Sequence, residues 1–203
     1  MPDARDDAPV LTLAHSPDSD DMVMWWPITG MHDRAGQPLP GPAGRPAIDT
    51  GRFRFRTVAE DVQRLNELAI GSGAYDATAI SAHAYPHLAD RYRITRCGAS
   101  MGEGYGPKAV VRSTSELERV EDLARPGVRL AVPGRHTTAF LTLQILIGRT
   151  VPATEMLFSK IPAAVVSGDA DAGLLIHEAQ IDFERLGLRP LVDLGQAWTA
   201  REQ

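Results

Sequence analysis

Four stretches of the chain hold side chains whose types and spacing suit chemistry. The first is the pair His177 and Glu178, which directly follows the apolar run at 172–176. A histidine at the carboxyl end of a buried strand is placed to move a proton near neutral pH, and a general base of this kind contributes typically ~10²–10⁴ in rate. A structural histidine paired with Glu178 or with a backbone carbonyl fits the same pattern. The second stretch is PGRHTTA at 133–139, where Thr137 and Thr138 stand at the expected start of a helix. Hydroxyls there accept the unpaired N–H groups of the first turn. The remaining N–H groups, with the helix dipole, suit an anion. An ordinary strand-to-helix turn with a threonine cap and a solvated His136 is the plainer reading of these residues.

The third stretch is YDATAIS at 75–81, whose last residue, Ser81, falls at a strand end. Ligands of open α/β sheets bind outside such ends, and a helix cap is the competing role for a serine in that position. The fourth is HSPDSDD at 15–21, with Asp18, Asp20 and Asp21. Three carboxylates suggest a metal, but the glycine and distal glutamate of a calcium loop are missing. Capping of the next helix by Ser or Asp explains them better, and no metal is expected. GASMGEGYGP at 98–107 is glycine-rich without phosphate-loop or dinucleotide spacing. Its glycines suit positive φ and close backbone approach, either to a ligand or at a crossover between lobes.

The elements that must hold these residues follow from periodicity. Strands are expected at 10–14, 53–58, 75–81, 108–112, 130–132, 155–158, 172–176 and 191–194. Helices are expected from 22, over 59–70 on a Val62, Leu65 and Ala69 face, from about Ser113, and from Thr137 or Thr138 on a Phe140, Leu143 and Ile147 face. One more should run from Pro162 to Gly168, with proline in its first turn and glycine at its end. The stretch 31–50 is too rich in Pro and Gly for a regular element and reads as an inserted surface loop rather than an active-site lid. Residues 1–9 read as a disordered polar lead and 195–203 as a tail. Strands alternating with helices imply an α/β sheet protein, and no internal repeat is visible.

The 203 residues are 43% hydrophobic and carry a net charge of −5. That length suits one large domain or two small lobes. The negative charge argues against a nucleic-acid partner. The acidic opening MPDARDDAPV has no apolar core of a secretory signal, and no run approaches the ~18 apolar residues of a membrane span. A single cysteine, Cys97, fits a reducing cytoplasm. A soluble, cytoplasmic protein is expected.

The stretches HSPDSDD, EDVQRLN (60–66), YDATAIS, GASMGEGYGP, LAVPGRHTTA (130–139) and GLLIHE (173–178) together resemble the 1,4-dihydroxy-6-naphthoate synthase family of the futalosine route to menaquinone. The resemblance runs from near residue 10 to near residue 195, and VPGRHTTA with GLLIHE is its most specific part. It implies a two-lobed, periplasmic-binding-protein-like α/β fold of type II, with lobes at 10–96 and 97–195. It implies a carbon–carbon lyase that needs no cofactor and converts cyclic dehypoxanthine futalosine, a small-molecule carboxylate, to 1,4-dihydroxy-6-naphthoate. Nucleic acid and membrane are not implied as partners, and a homodimer is left open. The histidine of the IHE motif, His177, corresponds to the proposed base. Ser81 with Ala79 and Ile80, Thr138 with Ala139, and by analogy Asn66 and Ser16, correspond to substrate-contacting positions. The substrate's carboxylate suits the donors at Thr137 and Thr138.

Three features depart from the family pattern. Ala79 stands where a lysine is common, so that Lys108 or Arg135 would have to supply the cation. The turn Asp18, Ser19, Asp20 and Asp21 replaces Cys-Pro-Asn-Asp. The chain also ends soon after VDLGQAWTA, where the family continues and returns to complete the first lobe, so an incomplete first lobe is expected. A non-catalytic carboxylate-binding protein of the same fold and a truncated inactive homologue are the alternatives. Chorismate dehydratase shares the fold, but GRHTTA and IHE resemble the naphthoate synthase better.

Overall fold

The computed structural model describes residues 8–33 and 36–202. Most of the expected polar lead therefore lies outside the described residues. Contacts gather into two compact units, Met1–Ser100 and Met101–Gln203.

In the first unit three parallel strands, β1 (Val10–His15), β2 (Arg54–Ala59) and β3 (Ala77–Thr78), lie in the order β2-β1-β3. Leu13 and Ala14 of β1 are buried. Helix α1 (Ser19–Thr29) leads from β1 towards β2, and α2 (Val62–Gly71) crosses back from β2 to β3. The two connections run in opposite directions along the sheet, the first from β1 out to β2 and the second from β2 back past β1 to β3. With right-handed crossovers, that puts the helices on opposite faces and opens a crevice at the carboxyl end of β1. Helix α1 is apolar along much of its length yet buries none of its residues. The segment 31–50 folds onto its end. Met31 N–H donates to the Ala43 carbonyl at 2.8 Å, and Gly41–Gly44 forms one 3-10 turn. A Cβ on Gly30 would meet the Gly44 backbone at 2.5 Å, so only glycine permits that approach.

The second unit holds β4 (Lys108–Arg112), β5 (Leu130–Val132), α3 (Thr138–Ile147), β6 (Thr154–Glu155), α4 (Ile161–Ser167), β7 (Ala172–Leu175), α5 (Ala179–Asp182), β8 (Leu188–Asp193) and α6 (Leu194–Glu202). The sheet order is β6-β5-β7-β4-β8, with β4 antiparallel to β7 and β8 and the other pairings parallel. Here too the first strand of a βαβαβ run, β5, lies between the second and the third. Helix α4 packs on β7, β5 and β4, whereas α3 packs on α6. The core gathers Val110, Ala131, Ile161, Val165, Leu175, Phe183 and Leu188. Gly173 lets α4 close on β7, because a Cβ there would meet Ile161 Cγ2 at 2.5 Å.

Several expected elements differ in extent. The strand expected over 75–81 shrinks to two residues. The Asp76 carboxylate, rather than a main-chain carbonyl, accepts the Thr12 N–H at 2.8 Å, and the Tyr75 carbonyl accepts the Tyr92 hydroxyl at 2.7 Å. Helix α2 starts at Val62, not Ala59, because the Asp61 carboxylate caps the N–H groups of Gln63 and Arg64 while Ala59 still pairs in β2. The helix expected near Ser113 is a turn, and a 3-10 segment forms instead at Val120–Ala124, where the Asp122 carboxylate accepts the N–H groups of Glu118 and Arg119. The strand expected at 155–158 is only Thr154–Glu155, and Phe158–Lys160 turns into α4. The expected C-terminal tail is helix α6, opened by the Asp193 carboxylate accepting the N–H groups of Gly195 and Gln196. Neither Asp18 nor Ser19 caps α1, since the Asp18 side chain turns back to Ser16.

Among the described residues no helix is long and apolar enough to cross a membrane.

Candidate functional site

Each unit gathers its candidate residues at the carboxyl edge of its parallel strands. In the first unit, the ladder pairs Ala14 with Thr78, and Ala79 N–H donates to the Ala14 carbonyl at 2.8 Å. His15 and Ser16 on one strand end therefore neighbour Ala79 and Ile80 on the other. Ser16 is buried in a tight polar turn. Its hydroxyl donates to the Asp18 carboxylate at 2.6 Å, and its N–H donates to Asp21 at 2.8 Å. His15 Nδ1 lies 2.6 Å from the Ser16 carbonyl, which can only accept, so Nδ1 carries the proton. Burial pushes the Asp21 carboxyl above the usual range, with the Ser16 N–H opposing it and the Asp20 charge adding to it.

Asn66, fully buried on α2, holds the other strand end. Its Nδ2 donates to the Ser81 hydroxyl at 3.0 Å, and its Oδ1 accepts the Ser81 N–H at 2.8 Å. Ser81 precedes the 3-10 turn Ala82–His87 in the N-cap position, yet its side chain makes no capping bond. The cap role open to Ser81 from sequence is thus unused, and its half-exposed hydroxyl faces Asn66. Asn66 and Ser81 come together across fifteen positions. Only a paired reading of the two motifs would have joined them, since neither carries a spacing that names the other.

In the second unit, β5 and β7 are parallel neighbours, with Leu130 opposite Ala172 and Ala131 opposite Gly173. Their carboxyl ends continue into Pro133–Thr138 and into Ile176 and His177, so that the threonine-bearing helix start and the histidine share one edge. Thr137 is buried and committed to structure. Its hydroxyl donates to the Gly134 carbonyl at 2.7 Å and accepts the Phe140 N–H at 3.3 Å. Thr138 is exposed on the first turn of α3 and Ala139 is buried behind it. The Phe140 and Leu141 N–H groups are taken by Thr137, which leaves the N–H of Ala139 directed out of the helix start. Of the helix face read from sequence, Phe140 and Leu143 are buried and Ile147 is half-buried.

His177 has φ 55°, the one positive φ outside glycine among the described residues. The left-handed region costs an L-residue roughly 1–2 kcal/mol, histidine entering it more readily than most, and such conformations cluster at functional positions. The His177 carbonyl accepts the Gln180 N–H at 3.2 Å, closing the turn into α5. Its half-buried imidazole meets the Phe158 ring edge-on at 5.0 Å. Phe158 was not among the sequence candidates. Its nearest signal is its place just ahead of the proline-started helix.

The two cations offered in place of the missing lysine are both engaged. The Lys108 ammonium pairs with the Asp193 carboxylate across β4 and β8. The Arg135 guanidinium pairs with Glu155 at 3.3 Å and donates to the Ala153 carbonyl at 2.8 Å. The glycine-rich stretch also has a structural use. A Cβ on Gly106 would meet the Gly195 N at 2.6 Å, so this glycine admits another main chain.

The chain is similar to known proteins. Two curated relatives, each named 1,4-dihydroxy-6-naphthoate synthase, come from Thermus thermophilus (35% identical) and Streptomyces coelicolor (31% identical); both alignments cover 94% of this chain and 61% of the relative. The chain thus spans about three fifths of the length of these relatives. A crystal structure of an Archaeoglobus fulgidus protein is similar at 38% identity and TM-score 0.75, covering 95% of this chain and 63% of that one. The alkanesulfonate-binding protein of Xanthomonas axonopodis pv. citri is similar in fold alone, at 16% identity and TM-score 0.56 over 91% of this chain and 60% of that one. The fold is thus a periplasmic-binding-protein-like α/β fold. A family model described as menaquinone biosynthesis matches residues 11–202, and the chain belongs to that family.

Proposed function

We propose that the protein is a carbon–carbon lyase that converts cyclic dehypoxanthine futalosine to 1,4-dihydroxy-6-naphthoate in the cytoplasmic futalosine route to menaquinone, with no cofactor. The relatives' shared name supports the product, and the observation that carries the chemistry is the left-handed backbone of His177 at the end of β7. A left-handed histidine beside an anion-suited helix start suits a proton transfer in which an oxyanion develops. In this reading neutral His177 removes a substrate proton, the sugar-derived ring fragments, and formation of the aromatic naphthoate drives the reaction. Within the second unit Thr138 and the Ala139 N–H at the start of α3, and within the first unit Ser81 with Ala79 and Ile80, are the positions offered to a ligand; the buried Ser16, bonded to Asp18, shapes its turn. Thr137 shapes the turn.

The test is a mass-spectrometric turnover assay on purified cyclic dehypoxanthine futalosine, with the parent and His177→Ala compared. Naphthoate formed by the parent and lost in the variant supports both the activity and the base. Equal turnover removes His177 from that role, and none from a folded parent leaves a binding protein or an inactive homologue, between which ligand-binding calorimetry chooses.

A further inference from the structure

We propose that Asn66 is a positioning residue that makes the Ser81 hydroxyl a dedicated donor, so that the first unit's crevice selects a ligand oxygen bearing negative charge. The assignment follows from what each atom is able to do. The Ser81 N–H can only donate, so the Asn66 atom 2.8 Å from it is the carbonyl oxygen Oδ1. The other terminal atom of that amide is then the NH2, which can only donate. It lies 3.0 Å from Ser81 Oγ, which must accept. One lone pair of the hydroxyl is spent on Asn66, and its hydrogen points away from it. Ser81 makes no capping bond, so that hydrogen is directed to neither the turn nor Asn66. Asn66 itself is 0% exposed and reaches a ligand only through Ser81.

The chemistry selected is an acceptor. A hydroxyl locked as donor binds carboxylate or a developing oxyanion and discriminates against a hydroxyl that must itself donate. Naming the acceptor as the substrate's carboxylate rests on the lyase reading above; the polarity of the hydroxyl does not.

Asn66→Asp is the discriminating variant. It keeps the size of the side chain and the acceptor for the Ser81 N–H, but replaces the NH2 donor with an oxygen, so the hydroxyl must turn and donate inward. Calorimetric titration would compare 1,4-dihydroxy-6-naphthoate with 1,4-dihydroxynaphthalene, which lacks the carboxylate. We expect Asn66→Asp and Ser81→Ala each to weaken the naphthoate by roughly tenfold or more, the value of a hydrogen bond to a charged group. The diol should change little, the double variant should lose no more than either single one, and Ser81→Thr should keep binding. Acidification that protonates the introduced carboxyl should restore part of the affinity. A side-chain amide proton of Asn66 should also shift in the NMR spectrum of Ser81→Ala without ligand.

Naphthoate bound by Asn66→Asp as by the parent, additive losses in the double variant, or an unmoved amide proton would each overturn the proposal; a folded parent that binds no naphthoate would overturn the naming of the acceptor, and the ligand-free amide-proton shift would then decide the polarity. A parent that shows the expected binding pattern but turns over no substrate would sink the lyase reading and leave this one standing.

Discussion

His177 concentrates the functional case in one backbone angle. Few side chains tolerate φ near 55°, and asparagine is among them. His177→Asn should therefore stay within about 1 kcal/mol of the parent in urea unfolding while losing the base, and turnover should fall by ~10²–10⁴. A variant that keeps full turnover would show that the strained turn serves folding alone. Ser16 and Thr137 illustrate the opposite case. Both sit at strand-end positions, but their hydroxyls are already bonded to Asp18 and to Gly134, which makes them shapers of their turns.

At the scale of elements, small residues and caps decide where the site lies. Gly195, the second residue of α6, lies against the stretch before β4, and a Cβ there would sit 2.5 Å from the Tyr105 backbone. Gly195→Ala should cost about 1–3 kcal/mol as an overpacked contact, read as a lower urea midpoint; an unchanged midpoint would mean that the two main chains separate freely. Asp61 starts the helix that carries Asn66. Asp61→Ala should cost about 1 kcal/mol through the lost cap. It should also weaken naphthoate binding, because a frayed first turn loosens the Asn66 amide five residues on; stability lost with binding intact would uncouple cap from site.

Across the whole molecule, the two units share one winding and differ in their acid chemistry. In the second unit, the N–H groups of Arg119 and Glu118 hold the Asp122 carboxyl below its ordinary range, and the Arg129 guanidinium does the same for Asp171. Carboxyls lowered on folding contribute stability that is present above the unfolded value, about 3.9, and is lost as pH falls through the folded one. Asp21 in the first unit is raised by burial, so its contribution has the opposite sign and folding gains as it takes up a proton. Acid unfolding followed by hydrogen exchange should therefore open the second unit's Asp122 and Arg129 regions as pH drops below about 4. Asp122→Asn should flatten that acid dependence, and an equally steep loss of stability in the variant would remove Asp122 as its source.

Local features could be read from the chain alone. The apolar run ending at His177, the Pro162-to-Gly168 helix, the threonine cap at Thr137 and the α/β alternation all follow from neighbours a few residues apart, where sterics and capping act without the rest of the chain. The family motifs were legible for the same reason, being short and contiguous. Tertiary structure decided what joins distant segments. Asp76 and Tyr92 cut the expected 75–81 strand to two residues, Gly106 and Gly195 admit each other's main chains, and Asn66 turns Ser81 from a cap into a donor. These pairings depend on sheet register and on loops closing in the right order, and no periodicity or capping rule links the partners along the chain. The backbone angle of His177 belongs with them, since only a folded surround holds a non-glycine residue in that conformation.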